Sequence, residues 1–419
     1  MIASPAPDDG APDPHWQRNL RILWWTQLFA VAGMALILPI LPLIVRSYGV
    51  TDVAQVQRWS GAIFAAPFLF AALMTPVWGW VGDRTGRKAM VVRALTGLGI
   101  AIFLMAFARN PKQLLILRVI QGTVSGFIPA AIAMVSASAP RQRLGYALGT
   151  LSSSQAAGVV VGPLLGGVLA DLIGFRNLFF VTAAIELIAG AVVSVLLLER
   201  PSAARAKQGS VLENARLATR APIPVALTGL FLTQLSIVLV QPFFALFVES
   251  LGVAPRRLST ATGVLFGITG LATLFAAPRW GRLADRIGRR RALTIAFVGG
   301  SITFLLQSFA RNVPMLFVLR GLQGLFAAGM LPAHYATIAS HTPDDRRGGI
   351  VAFGSSATLL GGLVGPILGG FLASQIGMRP VFAVSTALFA LNAFNVLRLP
   401  PDPHRSAPVP RRSWELPTQ

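Results

Sequence analysis

Two arginines and one glutamate stand well inside long apolar stretches of this sequence: Arg118, Arg320 and Glu186. An isolated charge in hydrocarbon costs about 3 kcal/mol or more, so such groups usually contact other protein groups or a water-filled cavity. A carboxyl group in that setting can bind and release a proton, and a guanidinium can attract an anion. These residues are therefore the first candidates for functional chemistry.

Two interpretations stay open for each of the two strongest candidates. Glu186 lies about 12 Å inside its stretch at about 1.5 Å per helical residue. It is either a proton carrier or a protonated side chain that only packs against a neighbouring helix. Arg118 either faces protein or water as a functional cation, or extends its guanidinium to the nearer membrane surface.

Composition indicates the elements that must position these residues. Of 419 residues, 54% are hydrophobic and 12% are charged, about half the charged fraction of a soluble domain. The natural solvent is therefore lipid. The net charge of +21 does not indicate nucleic-acid binding, because the Arg and Lys residues occupy short breaks between apolar runs.

Other kinds of chemistry find little support in the sequence. There is no cysteine, which excludes disulfides and Cys-ligated metals. Only four histidines occur, no HExxH motif is present, and His15 and His404 lie near the chain ends. The sequence therefore predicts no cofactor, no metal site and no enzyme activity.

Twelve apolar runs are long enough to cross a bilayer core of about 30 Å as helices. Backbone in lipid must satisfy its own hydrogen bonds, and these runs are too long for barrel strands. The sequence thus predicts an all-α integral membrane protein. The predicted spans 1 to 12 are Leu20–Val45, Trp59–Val81, Ala89–Phe107, Gln113–Ala137, Leu144–Ile173, Leu178–Leu198, Ile223–Val248, Ser259–Trp280, Ala292–Ala310, Pro314–Ser340, Gly348–Ile376 and Val381–Leu397.

The second half of the chain repeats motifs of the first. The turn "GDRTGR" at 82–87 recurs as "ADRIGR" at 284–289, and "VGPLLGG" at 161–167 recurs as "VGPILGG" at 364–370. This predicts two pseudo-symmetric six-helix halves related by an axis along the membrane normal. The predicted halves are 20–198 and 223–397, joined by a cytoplasmic loop at 199–222, with cytoplasmic tails at 1–19 and 398–419.

Charge predicts the orientation. Lys and Arg residues concentrate in the turns on the side of the two termini, and the positive-inside rule places that side in the cytoplasm. The N-terminal stretch is rich in Pro and Asp and has no apolar core, so it reads as a disordered tail and not a signal peptide. We expect a multi-pass protein of a bacterial-type cytoplasmic membrane.

These features resemble the major facilitator superfamily, in its twelve-span drug:proton antiporter branch. The resemblance extends from Trp16 to Leu397 and includes "VWGWVGDRTGRKAM" and "GYALGTLSSS", which are similar to multidrug exporters of that branch. It implies the major facilitator fold and links Arg118 to substrate or proton coupling. Many members carry a carboxylate in span 1, whereas this chain has none there. Glu186 in span 6 is its mid-membrane acid.

The repeated charged turn matches the family's loop motif. Glycine permits the tight reversal, and an aspartate is favoured near a helix N-terminus. The resemblance implies that Asp83 contacts the start of span 11 near Gly348 and that Asp285 contacts the start of span 5 near Leu144. We expect an interdomain latch; the alternative is a topology anchor only. The predicted latch residues are Gly79, Gly82, Asp83, Arg84, Gly86, Arg87, Lys88, Asp285, Arg286, Gly288 and Arg289.

Span 5 carries small residues at a spacing of four, Gly158, Gly162 and Gly166, together with Pro163 and Gly167. Such a stripe lets helices approach closely, and the proline permits a bend. The stretch resembles the family's export motif and predicts hinge or gate packing; generic helix packing is the alternative.

The family fold places spans 1, 4, 7 and 10 around a central cavity. Its predicted lining residues are Gln27, Phe127, Gln234, Gln241, Phe244, His334 and Tyr335. A few polar groups in an apolar cavity suit amphipathic or lipophilic substrates. The sequence thus predicts a monomeric secondary transporter that exports such compounds by alternating access in exchange for protons. The alternative is an uptake or exchange carrier for a specific metabolite.

Overall fold

The computed structural model describes residues 14–140, 143–199, 211–343 and 346–400. Every regular element in these ranges is a helix, so the all-α membrane class predicted from the sequence is confirmed. The tail 398–419 lies almost wholly outside the described ranges. The same is true of 1–13 in the other tail and of 200–210 in the central loop.

In the first half, the apolar runs form helices that extend a few residues beyond the predicted spans. Span 1 comprises two helices joined by a 3-10 turn, span 4 comprises two helices, and spans 5 and 6 share one interrupted helix. The bounds are Trp16–Ile37, Leu38–Ile40 and Leu41–Ser47 for span 1, Val53–Thr85 for span 2, Arg87–Met105 for span 3, Pro111–Val124 and Phe127–Ser138 for span 4, and Leu144–Leu196 for spans 5 and 6.

The second half has the same organisation. A short helix, Val211–Ala218, precedes it, and a 3-10 turn, Pro255–Arg257, leads into span 8. The bounds are Ile223–Val238, Gln241–Phe243 and Phe244–Ser250 for span 7, Leu258–Ile287 for span 8, Arg289–Ser308 for span 9, Val313–Ala327 and Met330–Ser340 for span 10, Arg347–Ile376 for span 11, and Met378–Val396 for span 12.

Ten helical segments of the described chain are long and apolar enough to cross a membrane. One of them holds spans 5 and 6, which separate at Gly174, where φ is 78° and ψ is 164°. Span 12 is not among the ten because polar residues interrupt its apolar sequence. One of these, Asn392, is buried and donates to Gly229 O (2.9 Å) and Thr233 Oγ1 (3.0 Å) of span 7. The ten segments, with one of them divided at Gly174 into spans 5 and 6 and with span 12 added, account for the twelve predicted spans.

The helix breaks follow the sequence repeat. The 3-10 turns in spans 1 and 7 lie 203 residues apart, at Leu38–Ile40 and Gln241–Phe243. Both contain a proline, which lacks the N–H donor that a continuous helix needs. Spans 4 and 10 break at equivalent places, near Gly126 (φ 116°) and Gly329. The pseudo-symmetry therefore extends from the sequence to the backbone.

Span 1 begins at Trp16, earlier than the predicted tail boundary at residue 19, which corrects that boundary. The Arg18 guanidinium donates to Leu196 O at 3.0 Å. The Asn19 amide exchanges two hydrogen bonds with the backbone of Leu198, at 2.8 and 3.2 Å. These polar residues can lie in a membrane helix because backbone groups at the end of span 6 satisfy their hydrogen bonds.

Candidate functional site: the interface between the two halves

The two halves of the bundle meet along one interface. The terminal face is the end of the bundle where span 1 begins and span 12 ends; the far face is the opposite end. At the far face, spans 2 and 11 come into backbone contact. A Cβ atom at Gly61 would overlap Pro366 O, and one at Gly370 would overlap Gln57 O. Only glycine permits helices to approach this closely.

Spans 5 and 8 form the equivalent contact. A Cβ atom at Gly263 would overlap Pro163 O, and one at Gly167 would overlap Ser259 O. The predicted small-residue set of span 5 therefore divides between two faces of the helix. Pro163 and Gly167 face span 8 of the other half, whereas the rest of the set faces span 1 of the same half.

The face toward span 1 is equally close-packed. A Cβ atom at Gly158, Gly162 or Gly166 would lie closer than 3.0 Å to atoms of span 1. Glycines of span 11 (Gly361, Gly365 and Gly369) bear the same relation to span 7. Each half thus contains one tightly packed helix pair, spans 1 and 5 or spans 7 and 11, whose second helix also contacts the other half.

An ion pair closes the far face near the centre of the interface. Arg46, at the end of span 1, contacts Glu249, at the end of span 7, with an Nη1–Oε2 distance of 2.5 Å. The two residues are 203 apart in the sequence, which is the offset between spans 1 and 7. Arg46 and Glu249 therefore occupy equivalent positions of the two halves. The pair therefore lies on the pseudo-twofold axis.

Two further polar contacts flank this ion pair. Asp171 of span 5 accepts hydrogen bonds from Thr260 N (2.8 Å) and Thr260 Oγ1 (2.7 Å) in the first turn of span 8. Arg58 Nε of span 2 donates to Ser374 Oγ of span 11 at 2.9 Å. By the sequence repeat, Asp171 corresponds to Ser374 and Thr260 corresponds to Arg58. We call these three contacts the far-face gate.

The gate is expected to respond to charge. Arg46→Glu places a like charge against Glu249 and should weaken closure, whereas the swapped pair Arg46→Glu/Glu249→Arg should restore it. The test is far-face maleimide labelling of a single cysteine at Ser259, a buried contact residue in a chain without other cysteines. Labelling should rise roughly two- to fivefold in Arg46→Glu, the scale of an exposed ion pair. Equal labelling of the swapped variant and Arg46→Glu would contradict the gate.

At the terminal face the two halves are apart. Among the described residues, no hydrogen bond, ion pair or close glycine contact joins them there. A Cβ atom at Gly79, Gly145, Gly149 or Gly281 would meet nothing within 4 Å. The interface is therefore a cleft that is closed at the far face and open at the terminal face.

The repeated charged turns lie at the open end. Gly86 and Gly288 have φ values of 94° and 87°, the left-handed region that only glycine adopts without strain. Asp285 is exposed and makes no hydrogen bond or ion pair with the described residues, so its predicted contact near Leu144 is not formed in this conformation. The Asp83 side chain and the surroundings of Gly348 lie outside the described part, so that contact stays a prediction.

Two arginines of the turns, Arg84 and Arg289, make contacts within their own halves. The Arg84 guanidinium stacks on the Trp80 ring at 3.7 Å. Arg289 Nη1 donates to Ala336 O (3.0 Å) and Ser340 Oγ (2.6 Å) at the end of span 10. Arg84 therefore packs on its own helix, span 2, whereas Arg289 ties the second turn to the end of span 10.

Glu199 is a contact that the sequence reasoning missed. Its carboxylate accepts hydrogen bonds from Arg87 N (2.8 Å) and Lys88 N (2.9 Å), the free donors of the first turn of span 3. A carboxylate at this position also complements the positive end of the helix dipole. The available signal was an acidic residue directly after the last apolar residue of span 6.

Arg118 is buried with unused donors. It is 3% exposed, so it does not extend to the membrane surface as the alternative required. Its Nη1 donates to Gln121 Oε1 at 3.0 Å, while Nε and Nη2 have no partner among the described residues. Two oriented donors in an apolar interior can bind an anionic or carbonyl oxygen that is not present in the protein itself.

Arg320 occupies the equivalent position but is held in place. Its Nη1 donates to Gln323 Oε1 (3.1 Å) and its Nε donates to Leu265 O (3.3 Å). The guanidinium also lies over the rings of Phe244 and Phe266, 4.5 and 4.8 Å from their centroids. Arg320 is thus a packed structural cation, and Arg118 is the arginine with free hydrogen-bonding capacity.

Glu186 lies between spans 6 and 1. It is 0% exposed, and neither carboxyl oxygen has a partner in the described structure; Thr182 Oγ1 beside it is also unpartnered. A Cβ atom at Gly33 would be 3.3 Å from Oε1. Span 6 thus places a carboxyl group against span 1, which has no acidic residue of its own.

The second half shows what this contact looks like without an acid. By the sequence repeat, Thr182 corresponds to Ser385, Gly33 to Ser236, and Glu186 to Phe389. There, Ser385 Oγ donates to Ser236 O at 3.1 Å. At this contact the second half therefore leaves the Ser385 hydroxyl satisfied, whereas the first half places an unpartnered acid there.

The structure revises the predicted cavity lining. Gln27, Phe127, Phe244 and His334 are buried inside the halves and do not line the open cleft in this conformation. Gln27 donates to Leu151 O at 3.2 Å. His334 packs beside Phe297, with ring centroids 5.7 Å apart. The half-buried members of the predicted set are Gln234, Gln241 and Tyr335.

Two helical halves that meet at one face and part at the other define a membrane carrier with its pathway between the halves. The chain belongs to the major facilitator superfamily. The sequence profile described as Major Facilitator Superfamily matches residues 23–260 and 226–418. This confirms the family predicted from the repeated turn and the span pattern.

Proteins named Multidrug resistance protein MdtG are close relatives in sequence. The one from Escherichia coli O81 (strain ED1a) is 33% identical over 392 residues, covering 93% of this chain and 96% of its own length. The one from Dickeya zeae (strain Ech586) is 35% identical over 391 residues, covering 92% and 95%. The predicted resemblance to multidrug exporters of this superfamily is confirmed.

Solved structures of lower identity share the fold. A bacterial homolog of the human lysosomal transporter Spinster, in an inward-facing and occupied conformation, superposes with a TM-score of 0.76 at 15% identity, covering 92% of this chain and 97% of that one. The human organic anion transporter MFSD10 (TETRAN) gives 0.67 at 19% identity, covering 92% and 100%. Both establish the fold alone.

Proposed function

We propose that this protein exports small amphipathic or lipophilic compounds by alternating access, in exchange for protons. The observation that carries the proposal is the cleft between the halves, closed at the far face by the gate and open at the terminal face. A carrier in this state accepts substrate from the terminal face and releases it after the gate opens.

The substrate class is supported by the relatives and by the cleft. The relatives of 33 and 35% identity are named as multidrug resistance proteins. The half-buried Gln234, Gln241 and Tyr335 supply a few polar groups among apolar neighbours, which suits amphipathic compounds. The Tyr335 hydroxyl is within 3.2 Å of Thr358 Oγ1, so its position is fixed.

Proton coupling is assigned to Glu186 and Arg118. Glu186 is a carboxyl group without a counter-cation between two helices, and burial favours its protonated form. Losing the proton creates a charge that must be hydrated or paired, so ionisation requires spans 1 and 6 to move apart. The state of the carboxyl group thereby becomes linked to the conformation of the first half.

We place the protein as a monomer in a bacterial-type cytoplasmic membrane, with both termini in the cytoplasm. The positive-inside distribution of Lys and Arg supports this orientation. The terminal face is then the cytoplasmic face, and the cleft is open to the cytoplasm. The two halves are 20–198 and 223–397, with the loop 199–222 between them.

The test is expression in an efflux-deficient bacterial host against a panel of toxic compounds, with and without a protonophore. The matched control is Arg58→Cys/Ser374→Cys, which should lock the gate when cross-linked and recover when reduced. We expect resistance that both the protonophore and the cross-link abolish. Increased sensitivity to a compound, or uptake of a metabolite, would contradict export and support the alternative, an uptake or exchange carrier for a specific metabolite.

Asp83→Asn is expected to cut transport roughly tenfold, because a latch shifts the balance between two open states. Asp285→Asn should have a smaller effect, since the second copy of the motif is usually the less demanding one in this family. Transport assays and substrate-binding titrations on membrane-inserted protein measure both. Normal transport by Asp83→Asn would reduce the turn to a topology anchor.

A further inference from the structure

A cavity of about 580 Å³ opens between the terminal-face ends of spans 1 and 5, away from the gate. Aromatic and basic side chains dominate its lining: Trp16, Arg21, Trp24, Trp25, Arg143 and Tyr146. The Trp24 indole is fixed by a hydrogen bond to Ser153 Oγ at 3.0 Å. None of its lining residues belongs to the far-face gate, the charged turns or the predicted substrate cavity.

The cavity is suited to an anion. Arg21 and Arg143 come from two different spans and face the same space, and none of the lining residues is acidic. Neither guanidinium makes a hydrogen bond or ion pair with the described residues. Two cations that line one cavity and have no partner among the described residues favour a phosphate or carboxylate group.

The apolar side of the cavity continues along span 1 toward the hydrocarbon region. Trp25 and Phe29 are 56% and 51% exposed and stack, with ring centroids 6.1 Å apart and an interplanar angle of 23°. A second cavity of about 380 Å³, between spans 1 and 6, also contains Arg21 and Trp25. The surface of span 1 that carries these rings is therefore not covered by span 5 or span 6.

We propose that this cavity binds one anionic phospholipid of the surrounding bilayer. Its phosphate contacts Arg21 and Arg143, and an acyl chain follows Trp25 and Phe29. Basic pockets between spans recognise anionic headgroups, and tryptophans prefer the headgroup level. A free anion would use only the basic part of the site, whereas an uncharged substrate would use only the aromatic part.

The position of the site sets its effect. It connects spans 1 and 5, the tightly packed pair of the first half, at the open end of the cleft. A lipid there is expected to hold these two helices together without contacting the second half. Bound anionic lipid should accordingly raise the thermal stability of the protein whatever the state of the gate.

The headgroup contact is tested by native mass spectrometry of the full chain in detergent, titrated with phosphatidylglycerol or phosphatidylcholine of identical acyl chains. Arg21→Gln/Arg143→Gln should bind phosphatidylglycerol roughly tenfold more weakly. The control Arg220→Gln/Arg291→Gln removes two exposed arginines of the same face and should bind like the unmodified protein. Equal weakening of the two variants, or equal binding of the two lipids, would overturn the proposal.

The acyl-chain contact needs a second variant and a soluble probe. Trp25→Ala/Phe29→Ala should weaken binding of long-chain phosphatidylglycerol but not of its dihexanoyl analogue. Glycerol 3-phosphate should not displace the long-chain lipid at comparable concentration. Full displacement by glycerol 3-phosphate would identify a soluble anion site and overturn the lipid assignment. Unchanged melting of both variants without lipid is the check on folding.

Discussion

Glu186→Gln is expected to abolish proton-driven accumulation of substrate while preserving binding and downhill exchange. Glutamine has nearly the shape of glutamic acid but cannot release a proton. Because neither oxygen of Glu186 has a partner among the described residues, the change removes no hydrogen bond seen in this part of the chain. The expected defect is therefore in coupling and not in folding.

Purified protein in liposomes separates these functions. Uptake against an imposed pH gradient measures coupling, and counterflow without a gradient measures exchange. The control Glu213→Gln removes a carboxylate that pairs with Arg346 on the terminal-face loop at 2.5 Å and should leave both rates unchanged. If Glu186→Gln still accumulates substrate, coupling runs through Asp83, Asp171 or His334, or transport is not proton-coupled.

Arg118→Leu is expected to be inactive, and Arg118→Lys is expected to be strongly impaired. The guanidinium has two buried nitrogens without partners, arranged in a plane that lysine does not reproduce. A role limited to charge would let lysine substitute fully. Transport rate, substrate affinity and thermal stability should be measured together on each variant.

Arg320→Lys is the matched comparison for Arg118→Lys. Arg320 has the same depth and the same glutamine partner at i+3, but its other contacts are a carbonyl and two rings. Its replacement should lower the melting temperature more than it lowers transport per folded molecule. The reverse pattern, with transport lost at Arg320 and kept at Arg118, would assign the functional role to the second half.

The fold was largely predictable because its signals are local. A bilayer fixes the length of an apolar run, and a repeated motif fixes the relation between halves, so the spans and their order follow from the sequence. The start of span 1 was missed because Arg18 and Asn19 are polar. Their helical state depends on carbonyl groups at the end of span 6, which no local pattern reveals.

The candidate site was only partly predictable because its contacts join distant parts of the chain. Arg118 stood out as a charge inside an apolar run, but its free donors become evident only beside the satisfied Arg320. Glu186 stood out in the same way, yet its position against Gly33 required the packing of spans 1 and 6. Asp171 and Glu249 lie near span ends, where charges usually serve as interfacial anchors, so the gate was not apparent.

The ion pair of the gate bears on how this chain could have originated. If two identical copies of one half had met around a twofold axis, the residue on the axis would have faced its own counterpart, arginine against arginine or glutamate against glutamate. The Arg46–Glu249 attraction is impossible in such an ancestor. The two flanking contacts of the gate are possible in such an ancestor. Each joins two different positions of the half and would appear twice in a symmetric pair. The central ion pair therefore arose only after the two copies had diverged in sequence.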